Sequence, residues 1–147
     1  HPRPPAMRRP RAYTTPAGHR LLVGRSGPQN EQVTFALSHP DDTWLHARGV
    51  GGAHVIIQWS AEHVPHAADD AKVLEMAARL AAYYSSARSA GHVEVDFAPR
   101  RQVRKIAGAG PGMVTYRGER TLRVEPISLE QLVQQGLLRA PGGRGGE

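Results

Sequence analysis

The chain has 147 residues, no cysteine and a formal net charge of +6, which suits one domain with a modest core. Lack of cysteine excludes a disulfide framework, a thiolate zinc site and a cysteine nucleophile, and no apolar run in the sequence approaches membrane-spanning length. Positive charge favours polyanions; of the 19 basic residues only Lys72 and Lys105 are lysines, a skew that fits a GC-rich genome as well as planar, bidentate phosphate contacts.

Residues 1–18 carry Pro2, Pro4, Pro5, Pro10 and Pro16 with Arg3, Arg8, Arg9 and Arg11 and no acidic side chain. They are expected to form a flexible basic arm or linker. The start at His1 points to a fragment or a processed chain. A folded domain is expected over 19–137, followed by a disordered Gly-rich tail over 138–147.

Arg20–Val23 reads as the first strand. Ser26-Gly27-Pro28 supplies a break and a start for a short helix over Gln29–Leu37. Trp44–Arg48 and His54–Gln58 read as a hairpin around Gly49-Val50-Gly51-Gly52. Over Asp69–Ala87, Val73, Ala77, Leu80 and Tyr84 recur at helical spacing, with Asp69 or Asp70 as cap. In His92–Phe97, Val93, Val95 and Phe97 are predicted inward and His92, Glu94 and Asp96 outward. Met113–Tyr116 and Thr121–Val124 flank Arg117-Gly118-Glu119-Arg120 as a second predicted hairpin, and Ser128 caps a last short helix to Gln135. The predicted fold is therefore α+β: a mainly antiparallel sheet with one long helix packed on a face and short flanking helices.

Alternation along Trp44–Arg48 sends Leu45 and Ala47 to one face and Trp44, His46 and Arg48 to the other. An indole, an imidazole and a guanidinium in a row can stack on bases and contact phosphates. The plainer reading is a packed tryptophan with a satisfied histidine beside it. His46 and His54 lie on neighbouring strands, but a metal would need them on one face with a third ligand. Asp42 is the only nearby candidate, and the spacing matches no metal motif, so no metal or cofactor is expected. The glycine turn lacks a P-loop lysine and a dinucleotide fingerprint, but its amides can donate to phosphates.

Arg100-Arg101-Gln102-Val103-Arg104-Lys105 is the densest basic run of the folded part, read as phosphate-binding or as a guarded sheet edge. Ser85, Ser86 and Arg88, at the end of the long helix, can add phosphate contacts or simply end the helix. No serine or histidine sits in a recognisable nucleophile motif, so no catalysis is expected.

Several segments carry a family resemblance. They are Leu22-Val23-Gly24-Arg25, Gln29-Asn30-Glu31, Asp42-Thr43-Trp44-Leu45-His46-Ala47-Arg48, Gly52-Ala53-His54-Val55-Ile56-Ile57, Ala77-Ala78-Arg79-Leu80-Ala81, Tyr84-Ser85-Ser86-Ala87-Arg88 and Pro111-Gly112-Met113-Val114-Thr115-Tyr116. In this order, over about residues 20–126, the chain resembles the NFACT-R domain, the RNA-binding module at the C-terminal end of NFACT proteins. That family includes bacterial fibronectin-binding A proteins and ribosome quality-control factors. One departure is that Gly51-Gly52-Ala53-His54 stands where the family usually has Pro-Gly-Ser-His.

The resemblance implies a non-catalytic, cytoplasmic RNA-binding module. Its partner would be tRNA or large-subunit ribosomal RNA, together with the rest of a parent protein, and no membrane. With the residues above, the implied RNA-binding set is Arg25, Gln29, Asn30, Asp42, Trp44, His46, Arg48, Gly52, His54, Ser85, Arg88, Arg101, Arg104 and Lys105. Two competing classes are a fibronectin-binding surface adhesin and a small RNA-processing or RNA-modification enzyme using His46 and His54.

Overall fold

A computed structural model describes residues 9–142. Six strands form one antiparallel sheet: β1 (Ala12–Thr14), β2 (Arg20–Val23), β3 (Thr43–Ala47), β4 (Val55–Gln58), β5 (Val93–Pro99) and β8 (Arg120–Val124), in the order β1-β2-β4-β3-β5-β8. A separate two-stranded ribbon pairs β6 (Val103–Lys105) with β7 (Val114–Tyr116).

One face of the sheet is covered by α2 (Asp70–Tyr83). Its stripe of Val73, Ala77, Ala78, Leu80 and Ala81 packs with Leu21, Val23, Leu45, Val55 and Val95. Its three alanines lose no side-chain entropy on burial and let the helix approach the pleat closely. The helix ends at Tyr83 rather than Ala87. Beyond it the Tyr84 carbonyl accepts the Ala53 N–H at 2.9 Å and the Ser86 N–H donates to Gly51 at 2.9 Å, so sheet-like pairing with the glycine loop replaces the last helical turn.

The opposite face is also covered. Leu22, Trp44 and Ile56 meet Val33 and Val103 in a second apolar cluster. Its roof is α1 (Gly27–Glu31), the π-helical turn Gln32–Ala36 that continues it, and the β6–β7 ribbon. The helix starts two residues before the predicted Gln29, because Pro28 occupies its first turn and the Ser26 hydroxyl caps the Gln29 N–H at 3.2 Å. Ser128 caps α3 (Leu129–Gln134) as expected, in a reciprocal box with Gln131.

Three expectations change. Val114–Tyr116 does not pair with Arg120–Val124: the first joins Val103–Lys105 in the roof, and the second pairs with β5. Gly118, at φ 70°, turns the chain from one layer to the other. Asp96 does point away from Val95 and Phe97, but the roof buries it, with 1% of its surface exposed. Ala12–Thr14, predicted within the flexible arm, is a strand on β2. Thr14 and Arg139 exchange bonds of 3.0 and 2.8 Å, so the predicted tail also begins inside the fold. Tyr13 and Thr14 have strand propensity, which the prolines and arginines around them obscure. The rest of the expected arm and tail, residues 1–8 and 143–147, lies outside the described residues.

Candidate nucleic-acid interface

At one end of the sheet the glycine loop between β3 and β4 passes between α1 and the end of α2. Gly52 sits directly opposite Ser85 in an isolated antiparallel bridge. A Cβ there would lie 2.8 Å from Ser85 Cβ and 2.9 Å from its Cα, so only glycine fits without a shift. Asn30 fixes the loop from the other side: its Nδ2 donates to the Gly52 carbonyl at 3.2 Å and its Oδ1 accepts the His54 N–H at 2.9 Å. Gly24 gives Asn30 room, since a Cβ there would collide with Asn30 Oδ1 and the Asn30 backbone.

These contacts leave an open cleft of about 500 Å³ whose walls include Arg25, Gly27, Asn30, Gly52, Ser86 and Arg88. Arg25 lies over the Tyr84 ring at 4.5 Å, and Arg88 over the Tyr83 ring at 4.7 Å. Each guanidinium is thus braced on one face by an aromatic ring. The Tyr84 hydroxyl accepts the Leu129 N–H at 3.1 Å, and burial raises its pKa, opposed by that bond. Gln29 stands just behind: its Oε1 accepts the Arg25 backbone N–H at 3.0 Å. Ser85 is buried, its hydroxyl donating to the Ala82 carbonyl at 2.8 Å, so its role here is to close the helix.

Arg25, Asn30, Gly52, Ser85 and Arg88, spread over sixty-odd positions of sequence, therefore converge. Tyr83 and Tyr84 are absent from the sequence-derived set. Tyr84 reads in sequence as part of the apolar stripe, and no spacing rule connects either ring to Arg25 or Arg88.

The Trp44, His46 and Arg48 row lies on one face as expected, but the roof covers part of it: Trp44 and His46 lie beneath it, while Arg48 stays exposed at its edge. Trp44 is fully buried, with its Nε1 lacking a partner among the described residues. Tyr116 packs on it at 4.5 Å and His46 stacks on it at 5.8 Å. His46 is half-buried, and burial lowers its pKa, opposed by Asp96. His54, 5.3 Å from His46 between ring centres, bonds Thr34 Oγ1 through Nδ1 at 2.8 Å, and burial pushes its pKa down to about 3. The two imidazoles do share a face, yet no group of three metal-ligating side chains exists among the described residues.

Asp42 is a turn residue. Its Oδ2 accepts the His39 N–H at 2.8 Å, and burial raises its pKa against that bond. The basic run is not extended throughout, because Arg100–Gln102 is a 3₁₀ turn. Arg100 donates to the Thr34 carbonyl at 2.6 Å and covers Phe35, Arg101 pairs with Asp41 at 2.9 Å, and Lys105 pairs with Glu31 at 2.8 Å. Arg104 is exposed and makes no ion pair among the described residues. No helix of the described residues is long and apolar enough to cross a membrane.

Comparison with known proteins follows the same geography. The NFACT protein RNA binding domain family matches residues 9–118. The Rqc2 homolog RqcH of Streptococcus suis (strain 05ZYH33) is 39% identical over 106 residues, 72% of this chain and 18% of that protein. The Rqc2 homolog RqcH of Bacillus subtilis (strain 168) is 39% identical over 114 residues, 78% of this chain and 19% of that protein. The chain thus spans about a fifth of the length of these relatives. Among solved structures, the C-terminal part of the fibronectin/fibrinogen-binding protein from Streptococcus suis superposes with a TM-score of 0.72 at 33% identity, covering 93% of this chain and 49% of that one. The matched span takes in both walls of the cleft and the roof over Trp44, and by that match the chain belongs to the NFACT protein RNA binding domain family.

Proposed function

We propose that this domain is a non-catalytic RNA-binding module of ribosome-associated quality control, contacting tRNA or large-subunit ribosomal RNA in the cytoplasm. The observation that carries the reading is the cleft with Arg25 and Arg88 on its walls, each braced on a tyrosine, with no carboxylate among its lining side chains. Guanidiniums held over aromatic rings lose little freedom on binding, and no carboxylate of the cleft lining competes with phosphate. The names of the relatives place them in the Rqc2 lineage, and a fragment a fifth of their length would supply the RNA grip rather than the whole activity.

The test is RNA affinity across a salt series for the wild type and an Arg25→Ala/Arg88→Ala variant. Binding should weaken steeply with salt, and the variant should lose about tenfold or more at low salt with a shallower slope. A flat salt response, or full affinity in the variant, overturns the reading. The fibronectin/fibrinogen label of the structural neighbour motivates a parallel measurement: fibronectin offered in the same assay. Tight binding of fibronectin with no binding of RNA would make the adhesin reading the better one.

A further inference from the structure

We propose that the Gly52 N–H, with the Arg25 and Arg88 guanidiniums, forms a receptor for a single phosphate group of the RNA; this rests on the RNA-binding reading. Gly52 and Ser85 are directly opposed, but the two hydrogen bonds of the bridge are made by their neighbours: Ala53 N–H to Tyr84, and Ser86 N–H to Gly51. In an antiparallel pair of this kind the opposed residues turn their own N–H and C=O away from each other. The Gly52 carbonyl accordingly reaches Asn30 Nδ2 at 3.2 Å on the α1 side of the cleft. In extended backbone the N–H of a residue leaves on the same edge as its C=O. The Gly52 N–H therefore faces the cleft too, and it donates to no group among the described residues.

An unpaired amide beside two cations, in a cleft without a carboxylate, asks for an anionic acceptor with several oxygens. Phosphate meets that demand: one oxygen can take the amide while others take Arg25 and Arg88. The setting differs from that of Arg48, which already has Glu94, Asp96 and Glu119 within 4.0 Å. Gly52 then serves twice, as the residue small enough to touch Ser85 and as a donor to the ligand.

The experiment is ¹⁵N–¹H correlation spectroscopy of the full chain titrated with inorganic phosphate, AMP and adenosine, and then with single-stranded oligonucleotides carrying or lacking a 5′-phosphate. The Gly52 amide should move downfield with phosphate and AMP, stay still with adenosine, and stay still with all of them in Arg25→Ala/Arg88→Ala. Equal movement with both oligonucleotides assigns the receptor to an internal phosphodiester; movement only with the 5′-phosphorylated one assigns it to a strand end. A Gly52 amide that stays still while RNA binds overturns the receptor and leaves the RNA-binding reading standing. Failure of any RNA to bind overturns that reading, whatever inorganic phosphate does at Gly52.

Discussion

The Nε of Arg48 lies 3.2 Å from Oδ1 of Asp96, a carboxylate with 2% of its side chain exposed. Asp96 also accepts from the Tyr116 hydroxyl at 2.7 Å and the Thr121 hydroxyl at 2.8 Å. One buried carboxylate thus ties the turn that follows β3 to β5, the roof strand β7 and the edge strand β8. The Tyr116 hydroxyl, buried against this carboxylate, has its pKa raised, with burial the larger cause.

Asp96→Ala should therefore destabilise the domain by about 3 kcal/mol, because two hydroxyls and a guanidinium lose an ionised acceptor together. Arg48→Ala should also lower the melting temperature, since it strips Asp96 of its cation, while RNA affinity stays near that of wild type. Thermal unfolding and RNA binding measured on the same preparations check this. A stable Arg48→Ala protein with weakened RNA binding would return Arg48 to the interface.

Gly52→Ala should cost about 1–3 kcal/mol, because the new methyl must push Ser85 away from a backbone contact. RNA affinity should fall further than that loss of stability explains, since the cleft wall moves with the loop. Denaturant unfolding beside RNA binding at a temperature where the variant is folded separates the two effects. Wild-type stability in the variant would show that the loop yields freely.

Much of this architecture is legible in the sequence, and the failures have physical causes. Alternation places Leu45 and Ala47 in the core and the alanine stripe of α2 against the sheet, because each pattern depends on one element's own period. It cannot say that Trp44 and Asp96 are buried, because that depends on a second layer built from residues 27–36 and 103–116. The error in the second hairpin has the same source: Tyr116 finds Trp44 and Asp96, so β7 stays in the roof while β8 crosses to the sheet edge. In the cleft, Arg25, Asn30, Gly52 and Arg88 are visible through the family resemblance. Their convergence is not, since it rests on the bridge between Gly52 and Ser85 and on the two bonds of Asn30 to the loop, all between segments remote in sequence. The internal partners of Arg100–Lys105 are not legible either, because Asp41, Glu31 and the Thr34 carbonyl, which occupy three of its four cations, are remote in sequence.

His54 sets a direction for acid sensitivity. Its pKa falls from 6.5 to about 3 on folding, mainly through burial, with His46 adding to the effect. The unfolded chain therefore takes up a proton that the folded chain refuses between about pH 6.5 and 3. This contribution to stability is complete above pH 6.5 and is lost as pH falls through that window, with a slope of at most about 1.4 kcal/mol per pH unit. His54→Asn should reduce the slope relative to wild type over pH 6 to 4, whatever its stability at pH 7. Parallel slopes in the two proteins would mean that His54 accepts a proton inside the fold.

Glu31 is the last control point. It accepts from Lys105 Nζ at 2.8 Å and from the Gly112 N–H at 3.3 Å, and these two bonds, Lys105 first, hold its pKa below the usual carboxylate value. The same carboxylate neutralises a cation of the basic run and pins the loop that leads from β6 to β7. Glu31→Gln should therefore do two separable things. It should raise RNA affinity at low salt, because Lys105 becomes available and the net charge rises, and the gain should vanish at moderate salt. It should also speed hydrogen exchange at the Gly112 and Met113 amides, since a neutral acceptor holds the loop less firmly. A gain in affinity that survives high salt would mean that the loop, rather than the freed charge, meets the RNA. Unchanged affinity with faster exchange would confine Glu31 to a structural role.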